Sequence, residues 1–170
     1  MAESAIGFLR PGLPPLAQHL REVMRHYPTG VVVVAAVHGG HPHGMAVNSF
    51  ASVSLDPPLV MFCADHRSST WPTLREAGRF AVSVLAADQV ELCRTFATKG
   101  ADRFSGQQWS PAGNGAPVLD EAVVWLACTI EVVHPGGDHD IVIGRVQETG
   151  HRPDRRPLIF HRGDFTSVAA

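Results

Sequence analysis

At 170 residues, 45% apolar and 18% charged, the chain has the size of one ordinary domain and lies well outside the disordered range. Sixteen acidic residues against fourteen basic ones leave a net charge of −2, so there is no basic excess to neutralise a nucleic-acid backbone. The longest apolar run, Val31 to Val37, is far too short to span a bilayer, and no basic start leads into an apolar core as in a signal peptide. A cytoplasmic protein with neither nucleic acid nor membrane as partner is expected. Cys63, Cys93 and Cys128 are widely spaced, odd in number and set among apolar neighbours, which suits reduced, buried thiols.

Residues 1–14 carry prolines and glycines without periodicity and read as a lead-in to one domain over 15–170. From Leu16 the positions Leu16, Leu20, Val23, Met24 and Tyr27 keep a helical period, ended by Pro28 and Gly30. Val31 to Val37 predicts a buried strand, the tract His38 to Gly44 a turn, and Met45 to Leu55 a second strand. Leu59 to Ala64 predicts a third strand after Asp56-Pro57-Pro58. Ser69 or Thr70 can cap a short helix with Trp71 and Leu74 on its apolar face and Gly78 at its end. Arg79 to Ala86 predicts a strand. Asp88 and Glu91 resemble a capping box for a helix burying Val90, Cys93, Phe96 and Ala97. A long polar loop over 101–118 precedes strands at Ala122 to Val133 and Ile141 to Gln147, with His134 to His139 as their hairpin loop. Pro157 to His161 predicts a last strand. About six strands and three helices without a βαβ rhythm make the fold mainly β (α+β), an antiparallel barrel with helices outside.

The absent motifs narrow the chemistry. There is no G-x-G-x-x-G after a strand, no P-loop, no C-x-x-C pair and no G-x-S-x-G elbow. His38, His41 and His43 gather near one turn, where a weak metal site competes with a plain polar turn. Arg67-Ser68-Ser69-Thr70 at a helix start offers an arginine, three hydroxyls and free N–H groups to a phosphate, or else is a simple cap beside a solvated arginine. Asn48, Ser49 and Ser52 fall close together on a strand of small residues. A pterin, purine or isoalloxazine ring could approach that backbone, with Asn48 and Ser49 on its polar edge; an edge strand with a polar face reads the same way. In Gly136-Gly137-Asp138-His139, Asp138 can orient the His139 imidazole or merely close a turn.

Taken together, these segments resemble the flavin reductase-like family, the short-chain NAD(P)H:flavin oxidoreductases with an FMN-binding split barrel, from about Leu20 to Phe165. The strongest stretch is GMAVNSFASVSLDPPLV at 44–60. PTGVVVVAA at 28–36, SSTWPTL at 68–74, GRFAVSVLA at 78–86, FATKGADRF at 96–104, Gly137-Asp138-His139 and PLIFHRGDF at 157–165 follow in order. The resemblance implies an antiparallel split β-barrel with short peripheral helices, in a homodimer that holds flavin between its subunits. It implies FMN or FAD, with NADH or NADPH as hydride donor to the flavin ring, and release of reduced flavin to a separate flavin-dependent monooxygenase. It also places Ala46, Val47, Asn48 and Ser49 along the isoalloxazine with Ser52 close by, and Ala64, Ser68, Ser69 and Thr70 at the ribityl chain and phosphate. Phe96, Ala97 and Arg103 would close the far side, and His139 would position the nicotinamide. Positions 46 and 51, often threonine in such sequences, are alanine here, so a hydroxyl to the flavin is lost at 46 while backbone contacts remain. Two other readings share the fold: a flavoenzyme that keeps FMN for its own organic substrate or electron acceptor, and a non-catalytic flavin- or haem-binding protein. Arg152, Arg155 and Arg156 could meet a 2′-phosphate or simply be solvated.

Overall fold

The structure, a computed structural model, describes residues 12–169. Most of the lead-in at 1–14 therefore lies outside the described residues. Helix α1, Pro15–Met24, starts with a proline in its first turn, where the missing N–H costs nothing. It stops three residues short of Tyr27, and none of its residues is buried.

A short strand β1, Thr29–Gly30, leads into β2, Val32–His38. Strand β2 feeds two cores. Val32, Val34 and Ala36 join Met45, Phe62, Phe80, Val82 and Val142 on one side. Val31, Val33 and Ala35 join Leu85, Cys93, Phe96, Leu119 and Leu158 on the other. A strand buried on both faces has no polar face to alternate with, which is why the sequence there is one apolar run.

The turn after β2 is only Gly39-Gly40, with φ of 58° and 81°, and β3 already begins at His41–Val47. The expected turn over 38–44 is thus corrected to two residues, because paired positive φ values let a hairpin close that tightly. The expected single strand over 45–55 is also two strands. The chain leaves β3 at Asn48 and resumes as β4, Ala51–Leu55, which pairs with β5, Pro58–Asp65.

Helix α2, Trp71–Ala77, ends on Gly78 at φ 68°, and β6, Arg79–Val84, follows. Helix α3, Val90–Ala97, buries Cys93 and Phe96. The expected capping box does not form: Gln89 Oε1 accepts from the Ala86 N–H at 2.9 Å, and Glu91 pairs with Arg94. The expected 101–118 loop is interrupted by β7, Trp109–Pro111, and runs at its end into β8, Pro117–Leu119, both three residues long. Strands β9, Val124–Gly136, and β10, His139–His151, run far longer than expected, leaving Gly137-Asp138 as their turn rather than a six-residue loop. Strands β11, Leu158–His161, and β12, Asp164–Ser167, end the chain as a hairpin. Its second strand escaped sequence reading because an arginine, Arg162 at φ 55°, takes the turn position before Gly163.

The main sheet has the order β3-β2-β6-β9-β10-β5-β4, antiparallel at every step. Its two edge strands, β3 and β4, are joined through residues 48–50 alone, so seven strands must curl until the edges approach, as in a barrel. Strand β1 pairs with the β11–β12 hairpin beside it.

Candidate functional site

The seam where the barrel edges meet is held by Ser49. The β4–β5 register sets Ala51 opposite Met61, which carries position 49 opposite Cys63. There the Ser49 hydroxyl accepts from the Cys63 N–H at 2.9 Å and donates to its carbonyl at 3.3 Å, replacing a backbone partner. Its proton is therefore spent on the fold. The half-buried Asn48 side chain makes no hydrogen bond among the described residues, which leaves its amide available. Ser52 is exposed on β4, paired across to Val60.

Strand β3 has an open edge, and the residues along it take opposite roles. Val47 points into the first core, and Ala46 packs against the second. The Gly44 carbonyl accepts from Arg103 rather than from a strand, so it faces out of the sheet. Alternation of the antiparallel ladder then turns the N–H and C=O of Ala46 outward as well. That main-chain edge leaves a donor and an acceptor at position 46, where the alanine side chain has neither. Gly44 is needed for packing too: a Cβ there would sit 2.8 Å from Phe96 Cε1. Phe96 is fully buried, 5.0 Å from the Phe104 ring, so its ring supports β3 from beneath and has no surface for a ligand; Ala97 beside it is half-buried.

Beyond β5, with Ala64 buried at its end, the chain makes the Asp65–Thr70 loop. Ser68 caps α2: its Oγ accepts from the N–H groups of Thr70 and Trp71, both at 3.2 Å, and lies 3.4 Å from Met45 Sδ. Two of the helix-start N–H groups expected to be free, those of Thr70 and Trp71, are thus already used. Arg67, also expected to face a phosphate, is held by Asp65 through its Nε at 3.3 Å and a terminal nitrogen at 3.0 Å. Arg103 is the arginine that reaches Thr70. It donates to Thr70 Oγ1 at 2.6 Å, to the Gly44 carbonyl at 2.7 Å and twice to the Thr98 carbonyl. No carboxylate pairs with it among the described residues. Burial lowers its pKa from the ordinary arginine value, yet so basic a guanidinium stays charged at neutral pH. The Thr70 hydroxyl proton and one remaining Arg103 N–H lie at this charge, and the exposed Ser69 hydroxyl is on the adjacent residue of the loop. The donor set fits a phosphate monoester and, with the open β3 edge and the Asn48 amide, a flat polar ring.

His139 enters from β10, opposite Asp65 on β5. Its Nδ1–H donates to Asp138 at 2.7 Å, the orienting role open to that carboxylate. The next residue, Asp140, belongs to none of the sequence motifs. Its carboxylate accepts from the Trp71 indole N–H at 2.8 Å and from His66 Nε2 at 3.0 Å, with Arg75 at 3.6 Å. The Trp71 bond first and then His66 hold it below the usual carboxylate range. Only strand register could have found it, since nothing local marks it.

The remaining candidates lie apart. His38 and His41 face each other across the β2–β3 turn, and His38 sits 3.4 Å from Glu76; among the described residues no group of three or more His, Cys, Asp or Glu could hold a metal. Arg155 is paired with Asp88 and Glu121, and Arg152 with Glu121. Cys93 and Cys128 are buried and Cys63 half-buried, all three free; burial pushes the first two thiols up to about 12. Two shallow concavities of about 520 and 320 Å³ lie elsewhere, and neither takes in Asn48, Ser69, Arg103 or His139. Among the described residues no helix is long and apolar enough to cross a membrane.

The fold is an antiparallel split barrel, with polar and charged groups gathered at the seam between its edges. The chain belongs to the flavin reductase like domain family, whose profile matches residues 24–169. It is 42% identical to a flavin reductase of Pseudomonas putida, over 100% of this chain and 99% of that one. It is 39% identical to the reductase subunit HsaB of a flavin-dependent monooxygenase from Mycobacterium tuberculosis, covering 87% of this chain and 80% of that one. Among solved structures, the NADH:FAD oxidoreductase SgcE6 of Streptomyces globisporus, in complex with NAD and FAD fragments, superposes with a TM-score of 0.86. It is 39% identical, over 95% of this chain and 98% of that one.

Proposed function

We propose that this NAD(P)H:flavin oxidoreductase holds the phosphate of FMN or FAD at Ser69, Thr70 and Arg103 and lays the ring along β3 from Ala46 to Ser49, with His139 positioning the nicotinamide of NADH or NADPH. The observation that carries the reading is Arg103, a half-buried guanidinium that among the described residues is bound only to neutral oxygens. Even half-burial removes part of a cation's hydration, and a phosphate from outside the chain offsets that loss with charge-assisted hydrogen bonds.

When bound, the flavin supplies a two-electron acceptor that no side chain can provide. The chain's own share is orientation and exclusion of water. The outward N–H and C=O of Ala46 and the Asn48 amide fix the polar edge of the ring. Val47, Ala64 and the Phe96-supported strand give a dry, rigid floor, with Ser52 and Ala97 at its margins and Ser68 and Ser49 fixing the loops. Asp138 keeps the His139 imidazole in one orientation, so His139 positions rather than transfers a proton. Truncating it, His139→Ala, is expected to raise the KM for NAD(P)H more than it lowers kcat.

The site lies on an open seam, and the apolar side chains of α1 are exposed. Both features support a homodimer in which a second copy covers the flavin. Reduced flavin then leaves by diffusion for a separate flavin-dependent monooxygenase in the cytoplasm, consistent with the monooxygenase reductase subunit among the relatives. The test is NADH oxidation at 340 nm with and without added FMN or FAD, in air and anaerobically. Turnover that depends on added flavin, with bleaching when oxygen is removed, is expected. A yellow protein that keeps its FMN and ignores added flavin overturns the release step, and a colourless, inactive protein overturns the whole reading.

A further inference from the structure

Asp140 sits on β10 directly after His139, yet its carboxylate is directed at the other end of the site. Its side chain is 15% exposed and gathers donors from the 66–70 loop and from α2: His66 Nε2, Trp71 Nε1 and, more distantly, Arg75. Trp71 is 4% exposed, and a buried indole N–H requires an acceptor. The backbone N–H of the same Trp71 donates to Ser68 Oγ, which also receives the Thr70 N–H. Thr70 Oγ1 in turn accepts from Arg103. An unbroken chain of contacts therefore runs from Asp140 through Trp71 and Ser68 to Thr70 and Arg103. A second tie reinforces it, because the His66 N–H donates to the Asp138 carbonyl in the β9–β10 turn.

The residue type matters. Trp71 and His66 both donate, one to each carboxylate oxygen, and Arg75 adds positive charge. An asparagine has only one oxygen and would turn its own N–H groups towards a second donor. We propose that Asp140 is a positioning residue that sets the protein's affinity for the phosphate of its flavin, by holding the start of α2 so that Ser69 and Thr70 face Arg103. The proposal rests on the reading that the phosphate lies there. It gives the strand carrying His139 a second task, so that the nicotinamide and phosphate ends of the site share one rigid element.

The test compares FMN with riboflavin, which has the same ring and ribityl chain but no phosphate, by quenching of flavin fluorescence on the purified full chain. The wild type is expected to bind FMN more tightly than riboflavin. Asp140→Ala is expected to raise the Kd for FMN about tenfold, Asp140→Asn by somewhat less, and riboflavin by under twofold in both. His66→Ala removes one donor from a side chain that is nearly half exposed, so it is safe for the fold; about a threefold weakening confined to FMN is expected. Equal weakening of both flavins, or no change in either, overturns the positioning role. A wild type that binds FMN and riboflavin alike overturns instead the phosphate placement on which the proposal rests.

Discussion

Helices α1 and α3 carry the same kind of pattern, apolar side chains at helical spacing with charged residues between them, and end up in opposite environments. On α3 the apolar face is inside: Cys93 and Phe96 are fully buried against Val33, Ala35 and Leu158. On and just after α1, Leu16 is 78% exposed, Leu20 58% and Tyr27 64%, with Val23 and Met24 half uncovered. The contrast shows what an amphipathic pattern records. It states that a face needs cover, not that the cover belongs to the same chain. Helix α3 has its cover in β2 and β3, whereas the proposed homodimer gives α1 a second copy of the protein.

The comparison breaks first at Phe96. Phe96→Ala should lower stability by about 3–5 kcal/mol in urea unfolding, because the ring leaves a cavity between α3 and β3. A loss under about 1 kcal/mol would mean that α3 is no more part of the core than α1. The reciprocal change, Gly44→Ala, places a Cβ 2.8 Å from the same ring. Overpacking there should cost about 1–3 kcal/mol and also disturb the carbonyl that anchors Arg103. On the other helix, Leu20→Glu should leave the stability of a single chain within about 0.5 kcal/mol of wild type. Its effect should be seen in analytical ultracentrifugation as a shift from dimer to single chains. A dimer that persists unchanged would show that α1 faces solvent for good.

The same contrast marks what could be read from sequence. The double-faced run of β2, the α2 stop at Gly78 and the burial of Cys93 and Phe96 were legible, because each depends on local spacing or on a special φ. The strand split at Asn48, the short β7–β8 pair and the β11–β12 hairpin were not. The first depends on barrel closure, the second on strands too short for a period, and the third on an arginine in a turn position. At the site, residue types alone single out the hydroxyl segment and the family resemblance adds Arg103, but neither shows how these side chains divide their hydrogen bonds. Ser49 and Ser68 spend their hydroxyls on the fold, Arg67 is neutralised by Asp65, and Arg103 arrives uncompensated. These outcomes depend on which groups meet across strands, and residue type alone does not record that. Asp140 is the clearest case, since its partners lie 69 and 74 residues away in the chain.

The mildest probe of the two helices changes almost no energy and reads accessibility directly. The Cys93 thiol is pushed up to about 12 by burial, so at pH 8 only on the order of one in ten thousand is thiolate, and the ring-packed face of α3 shields even that. Labelling by a thiol reagent at Cys93 should therefore proceed only through opening of α3 and should not depend on protein concentration. Leu20→Cys puts an ordinary thiol on α1, roughly a quarter ionised at pH 8. Peptide mass analysis keeps it apart from the half-buried Cys63. In dilute protein it should label at least a thousandfold faster than Cys93, and the rate should fall as concentration rises and a second copy covers the helix. If Leu20→Cys labels as slowly as Cys93 in dilute single chains, then α1 packs on its own chain and the two helices are alike after all. If it labels fast at every concentration, nothing covers α1, and the flavin site must be completed without it.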